Sequence, residues 1–93
     1  MINFKNKKIL VTGATGGIGN ALVKKFLSLN GTVLATGTNI DKLDSLKKEF
    51  PEINILKFNI SEHLKIEEFI ENASSQLMGL DILVNNAGIT NDN

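Results

Sequence analysis

The chain predicts a doubly wound α/β fold built on a parallel sheet, and three observations carry that expectation. Short apolar runs of strand character alternate with longer stretches whose apolar residues recur at helical spacing. The short runs are largely continuous in apolar residues, as in strands covered on both faces. The stretches between them are long enough for the helical crossovers that join parallel strands.

Taken in order, the first strand is expected at Ile9–Thr12 and runs into the glycine-rich turn Gly13–Gly19. A helix follows, with Ile18, Leu22, Phe26 and Leu29 on one face. Asn30-Gly31 ends it, with the glycine suited to a left-handed cap. The second strand is expected at Thr32–Ala35, and the second helix places Leu43, Leu46 and Phe50 on its buried side before Pro51 stops it. Ile53–Phe58 reads as the third strand. The third helix presents Ile66, Phe69, Ile70, Ala73 and Leu77, with Ser61 as its N-cap and Gly79 closing it. Leu80–Val84 is the fourth strand, and the polar stretch from Asn85 to Asn93 reads as loop. The order is β-α-β-α-β-α-β in one partial domain spanning residues 1–93, expected to break off within its architecture after the fourth strand.

Composition narrows the function classes. The 93 residues carry 10 Lys+Arg against 10 Asp+Glu, with 42% hydrophobic and 22% charged residues. That is the profile of an ordinary globular protein. Balanced charge argues against nucleic acid or an anionic membrane as partner. There is no Cys, and His63 is the single histidine, so no thiolate or histidine-cluster metal site is expected. His63 reads as a solvated surface residue, the basic run Lys5, Lys7 and Lys8 as a solvated edge, and Asp81 as a turn residue. No apolar run approaches a membrane span and the first residues lack a secretory pattern, so a cytoplasmic location is expected.

The strongest chemical signal is Thr12-Gly13-Ala14-Thr15-Gly16-Gly17-Ile18-Gly19, placed between a strand and a helix. Gly13 lets the chain turn off the strand. Gly16 and Gly17 leave bare backbone where a pyrophosphate can approach, and Gly19 lets the helix pack close to the strand. Free N–H groups at the helix start then face the anion. Each glycine costs about 0.5–1 kcal/mol of chain entropy, so a cluster of them is a poor way to make a turn and nothing more. The spacing fits both G-x-x-x-G-x-G and G-x-x-G-x-x-G, and alone does not choose between two families of dinucleotide enzymes.

Together with Leu83-Val84-Asn85-Asn86-Ala87-Gly88, that turn resembles the short-chain dehydrogenase/reductase family. Within it, Asn86 to Asn93 resembles bacterial 3-oxoacyl-acyl-carrier-protein reductases. The resemblance runs through the whole chain and covers the first part of a typical member. It implies a Rossmann-like sheet of order 3-2-1-4, with the fourth strand an apolar edge, and NAD(P)H-dependent reduction of a carbonyl. By the same resemblance Gly13, Gly17, Ile18 and Gly19 hold the cofactor pyrophosphate, with Thr15 a further phosphate donor. Asn59 falls where the family places an acidic or amide side chain near the adenine; the alternative is a local Asx cap. Asn86, Ala87 and Gly88 line the adenosine-ribose side, and the Asn86 amide can tie adjoining strands together through backbone hydrogen bonds.

Cofactor choice is read at the end of the second strand, where an acidic residue binds a ribose 2′-hydroxyl and repels a 2′-phosphate. Here Thr36-Gly37-Thr38-Asn39 carries no carboxylate before Asp41, and Thr38 is a neutral donor. The arginine that many NADP-binding relatives carry, at this turn or in the glycine motif, is lacking. NADP(H) is therefore expected over NAD(H), on missing repulsion rather than a cation. The family's proton-donating Tyr has no counterpart, since the chain has no tyrosine, and no residue is assigned a catalytic role. The expected function is the NADP(H)-binding part of a 3-oxoacyl-acyl-carrier-protein reductase. An acyl-carrier-protein thioester would be a partner of the full-length enzyme alone, and a homo-oligomer or a complementing chain would cover the open sheet. The competing expectations are a nucleotide-binding module without catalysis and an inactive remnant.

Overall fold

The computed structural model describes residues 2–59 and 62–86. The strands are β1 (Lys8–Val11), β2 (Thr32–Gly37), β3 (Asn54–Lys57) and β4 (Ile82–Val84). The helices are α1 (Gly17–Ser28), α2 (Ile40–Glu49) and α3 (Ile66–Leu77), the last preceded by a 3₁₀ turn at His63–Lys65. The four strands form one parallel sheet in the order β3-β2-β1-β4, as the sequence leads one to expect. Strand register sets Val11 beside both Ala35 and Val84.

Why uninterrupted apolar strands suit this sheet is visible in where alternate residues go. Ile9, Val11, Val33 and Ala35 are fully buried, or nearly so, in one layer with Val23, Leu43 and Leu46 of α1 and α2. Leu10 and Leu34 point the other way, into a layer with Phe69, Ala73 and Leu77 of α3. The central strands β1 and β2 feed two cores, so their buried positions are almost all apolar. Each fully buried Leu or Ile contributes about 1.5–3 kcal/mol. Phe58, just past β3, stacks on Phe69 with ring centroids 4.0 Å apart and planes 9° from parallel, which fixes the start of α3 on the sheet. On the α3 side, Leu83 of β4 lies beside Leu10 in register yet is 51% exposed, on the outer strand of the sheet, whereas Leu10 and Leu34 are fully buried against α3. The expected apolar edge is therefore present.

Several local expectations need correction. The buried stripe of α1 is Gly19 and Val23, with Phe26 and Leu27 packed against the core, whereas Ile18 is 53% exposed. The helix turns Gly19 toward the glycine loop, and this rotates Ile18 out to solvent. Asn30, not Gly31, takes the left-handed conformation after α1, at φ 73°. Gly31 is needed for room instead, since a Cβ there would lie 2.6 Å from Cδ1 of Ile9 and 3.2 Å from the Phe26 carbonyl oxygen. At the end of α3 the left-handed residue is Met78, and the Gly79 amide donates to the Ser74 carbonyl at 2.8 Å to close the helix. The helix N-cap is Lys65, without a side-chain cap bond. Ser61 lies outside the described residues. Lys8 is not a solvated edge residue: its Nζ donates to the Leu77 carbonyl at 2.8 Å and its amide to the Asp81 carboxylate at 2.8 Å. Asp81 thereby acts across the sheet and not only in its own turn.

Candidate functional site

At the carboxyl ends of the strands the chain leaves β1 through Thr12 and bends at once. Gly13 sits at φ 60°, a left-handed conformation that favours glycine. The bend is held from three sides. The Ala14 amide donates to the Thr36 carbonyl at 3.0 Å, which anchors the loop to β2. The Thr12 amide donates to the Val84 carbonyl at 3.0 Å, and the Thr12 hydroxyl to Oδ1 of Asn85 at 3.1 Å, which anchors it to β4. Asn86, 1% exposed, donates from Nδ2 to the Gly13 carbonyl at 3.0 Å. This is the strand-tying role expected of the Asn86 amide.

Helix α1 then begins against the bend. A Cβ on Gly19 would lie 2.1 Å from the Gly13 carbonyl oxygen and 2.7 Å from Cα of Ala14, both backbone atoms that cannot step aside. Gly19 thus sets how closely the helix start approaches the turn. Gly17 is the opposite case: a Cβ there would meet nothing within 4 Å. The space in front of it is open. The Asn20 amide makes the first helical bond, to the Gly16 carbonyl, and Gly16 supplies no side-chain cap. Among the described residues, the amides of Gly17, Ile18 and Gly19 find no acceptor. Unmatched N–H groups at a helix start, with no side chain in front of Gly17, stand at the positive end of the helix dipole, the kind of position that can receive an anion.

Two buried oxygens nearby also lack a described hydrogen-bond partner: Oγ1 of Thr36 and Oδ1 of Asn86. Such atoms are uncommon in native interiors and ask for a water or a ligand group. Thr15, half-buried, lines an open groove of about 490 Å³ with Asn39 and Lys42 between α1 and α2. Thr38, exposed, lines a second groove of about 520 Å³ with Lys57, Asn59 and Lys65 at the ends of β2 and β3. The Asn59 carbonyl accepts from the Glu62 amide at 2.9 Å, a turn into the 3₁₀ segment.

The fold therefore brings Gly13, Thr15, Gly17, Ile18, Gly19, Thr38, Asn59 and Asn86 to one end of the sheet. Ala87 and Gly88 lie outside the described residues. Thr12 and Thr36 stand in the two motifs read at this end without an assigned role, although both are buried polar residues closing apolar strands, which is the signal that points to one. Among the described residues no group of His, Asp or Glu is placed to hold a metal, and no helix is long and apolar enough to cross a membrane.

The site residues fit a dinucleotide on structural grounds. The space before Gly17 is open, the amides that begin α1 are unmatched among the described residues, and two buried oxygens, of Thr36 and Asn86, lack a described partner at the same end of the sheet.

Comparison with known proteins gives the same picture. The family model described as short chain dehydrogenase matches residues 7–93. Nodulation protein G of Rhizobium sp. (strain N33) is 38% identical over 93 residues, 99% of this chain and 38% of that protein. The 3-oxoacyl-[acyl-carrier-protein] reductase of Aquifex aeolicus is 38% identical over 98% of this chain and 39% of its own length. The NADP-dependent 3-hydroxy acid dehydrogenase of Escherichia coli (strain K12) is 35% identical over 87% of this chain and 33% of its own length. Among solved structures, a short-chain dehydrogenase/reductase from Brucella melitensis superposes with a TM-score of 0.78 at 26% identity, covering 88% of this chain and 36% of the other. The chain thus spans between a third and two fifths of the length of these curated relatives.

Proposed function

The chain belongs to the short-chain dehydrogenase family, and we propose that its 93 residues form the NADP(H)-binding part of a reductase acting on a 3-oxoacyl carrier-protein thioester. Members of the family bind a dinucleotide, NAD(H) or NADP(H), which supplies or accepts a hydride when bound. In this reading Gly13 makes the bend, the Gly17, Ile18 and Gly19 amides take the pyrophosphate, and Thr15 donates a further hydrogen bond. Asn86 braces the bend from below, with Ala87 and Gly88 beside the ribose and Asn59 near the adenine. The observation that carries the reading is the open, amide-lined space before Gly17, set against the tightly filled space at Gly19.

Preference for NADP(H) rests on Thr38, a neutral side chain where an acidic one would repel a 2′-phosphate. The likeness to an NADP-dependent 3-hydroxy acid dehydrogenase supports it. The thioester substrate rests on the likeness to the 3-oxoacyl-[acyl-carrier-protein] reductase. Since the chain has no tyrosine, the role proposed for these residues is to bind and orient the cofactor, and no proton-transfer step is assigned to them.

The test is a calorimetric titration of the chain with NADP+, repeated on Gly17→Val. A Cβ there meets no protein atom within 4 Å, so the variant is expected to keep its stability within about 0.5 kcal/mol, checked by its melting midpoint before titration. The added side chain stands in the anion's approach, and affinity falls at least about tenfold, or 1.4 kcal/mol. Unchanged affinity in a folded Gly17→Val variant contradicts this reading.

A further inference from the structure

The turn after β2 offers a 2′-phosphate no cation of its own, since Thr38 and Asn39 are neutral and Gly16 stands in the glycine motif. The structure places positive charge beside that turn from a different element. The groove that Thr38 lines is also lined by Lys57, Phe58, Asn59, Glu62 and Lys65. We propose that Lys57 and Lys65 together select a 2′-phosphorylated adenosine, doing from β3 and the start of α3 what the β2 turn does not. This inference rests on the dinucleotide reading above and adds to it the source of the selectivity.

Lys57 is held in place by the sheet. It is the last residue of β3, in register with Gly37, and the next amide, of Phe58, donates to the Gly37 carbonyl at 2.9 Å. Its neighbour across the ladder is therefore the residue just before Thr38. Among the described residues its ammonium has no carboxylate within ion-pair distance. Lys65 closes the 3₁₀ turn and is the N-cap residue of α3. Its one described ion pair is with Glu62, at 4.0 Å and with both side chains well exposed. A pair of that kind is weak and gives way to a doubly charged phosphate. Among the described residues that line it, the groove sets two lysines against one glutamate.

The groove on the other side of the β2 turn has the opposite balance. There Lys42 stands with Asp41 and Glu49, beside Thr15 and Asn39. A 2′-phosphate seated there would face more negative than positive charge. The two grooves share the turn and differ in sign, and sign decides which accepts an added phosphate.

The experiment is titration calorimetry of the chain with NADP+ and with NAD+, at low and at moderate salt. It compares the parent with Lys57→Gln, Lys65→Gln, the double variant and Lys42→Gln, each first checked for an unchanged melting midpoint. The parent binds NADP+ more tightly. Each single variant in the Thr38 groove lowers the NADP+ to NAD+ affinity ratio about threefold and the double variant about tenfold, less at higher salt. Lys42→Gln leaves the ratio within about twofold. A double variant with an unaltered ratio overturns the lysine assignment, as does a drop in Lys42→Gln that matches the double variant. A parent chain that binds neither nucleotide overturns the functional reading itself, which is a separate result.

Discussion

The two ends of the sheet are built on different rules. At the amino ends of the strands the polar groups are matched across the molecule. The Lys8 amide gives to Asp81, the Lys8 ammonium to the last carbonyl of α3, the Asp81 amide back to the Lys8 carbonyl, and the Thr32 amide to the Lys7 carbonyl. At the carboxyl ends the frame is held as firmly, through Ala14, Thr12 and Asn86. Yet three amides and two buried oxygens there lack a described partner. The same strands thus end once in a closed clamp and once in an unfinished polar surface. Unmatched groups on a rigid frame mark where a ligand completes the hydrogen bonding, and in parallel α/β sheets that is the carboxyl end.

Substitutions can break this contrast in turn. The largest effect belongs to Gly19→Val. Its Cβ would stand 2.1 Å from a backbone oxygen, so the start of α1 must leave the turn. The expected cost is about 3 kcal/mol or more, read as a melting midpoint about 15 °C lower or a lost cooperative transition. A Gly19→Val chain as stable as the parent would mean that the helix does not pack on the bend. Next comes Gly17→Val, one turn position away, where stability holds and nucleotide affinity falls. The pair separates a glycine kept for packing from one kept for a ligand. The smallest effect is that of Asp81→Ala at the closed end. It leaves the Lys8 amide without its acceptor and costs about 1 kcal/mol in thermal unfolding. NADP+ affinity is unchanged, and a matching fall in affinity would show that the two ends are coupled.

How much of this was legible in the sequence follows the range of the interactions. Strand order, helix order and the two-faced sheet were readable because they follow from apolar periodicity and connection length. The glycine turn was readable because its demands are local: a left-handed bend at Gly13, bare backbone at Gly17, close approach at Gly19. The face of α1 was misjudged because counting apolar residues gives no weight to a glycine, and it is Gly19 against backbone that orients this helix. Asn30 takes the left-handed conformation expected of Gly31, and Gly31 is needed for room, because the crowding there comes from Ile9 and Phe26, which local sequence does not bring together. Lys8 and Asp81, 73 positions apart, carry no mutual signal at all. Lys57 is likewise joined to the Thr38 turn only by strand pairing, and Lys65 only by the packing that brings the start of α3 to the same groove.

In the proposed function, the bare amides opening α1 take an anionic diphosphate. Backbone amide NMR during titration with NADP+ tests it most directly. The Gly17, Ile18 and Gly19 resonances should move furthest and saturate together, while the Lys8 and Asp81 amides at the closed end stay in place. Saturable binding that leaves those three amides unmoved would contradict the account.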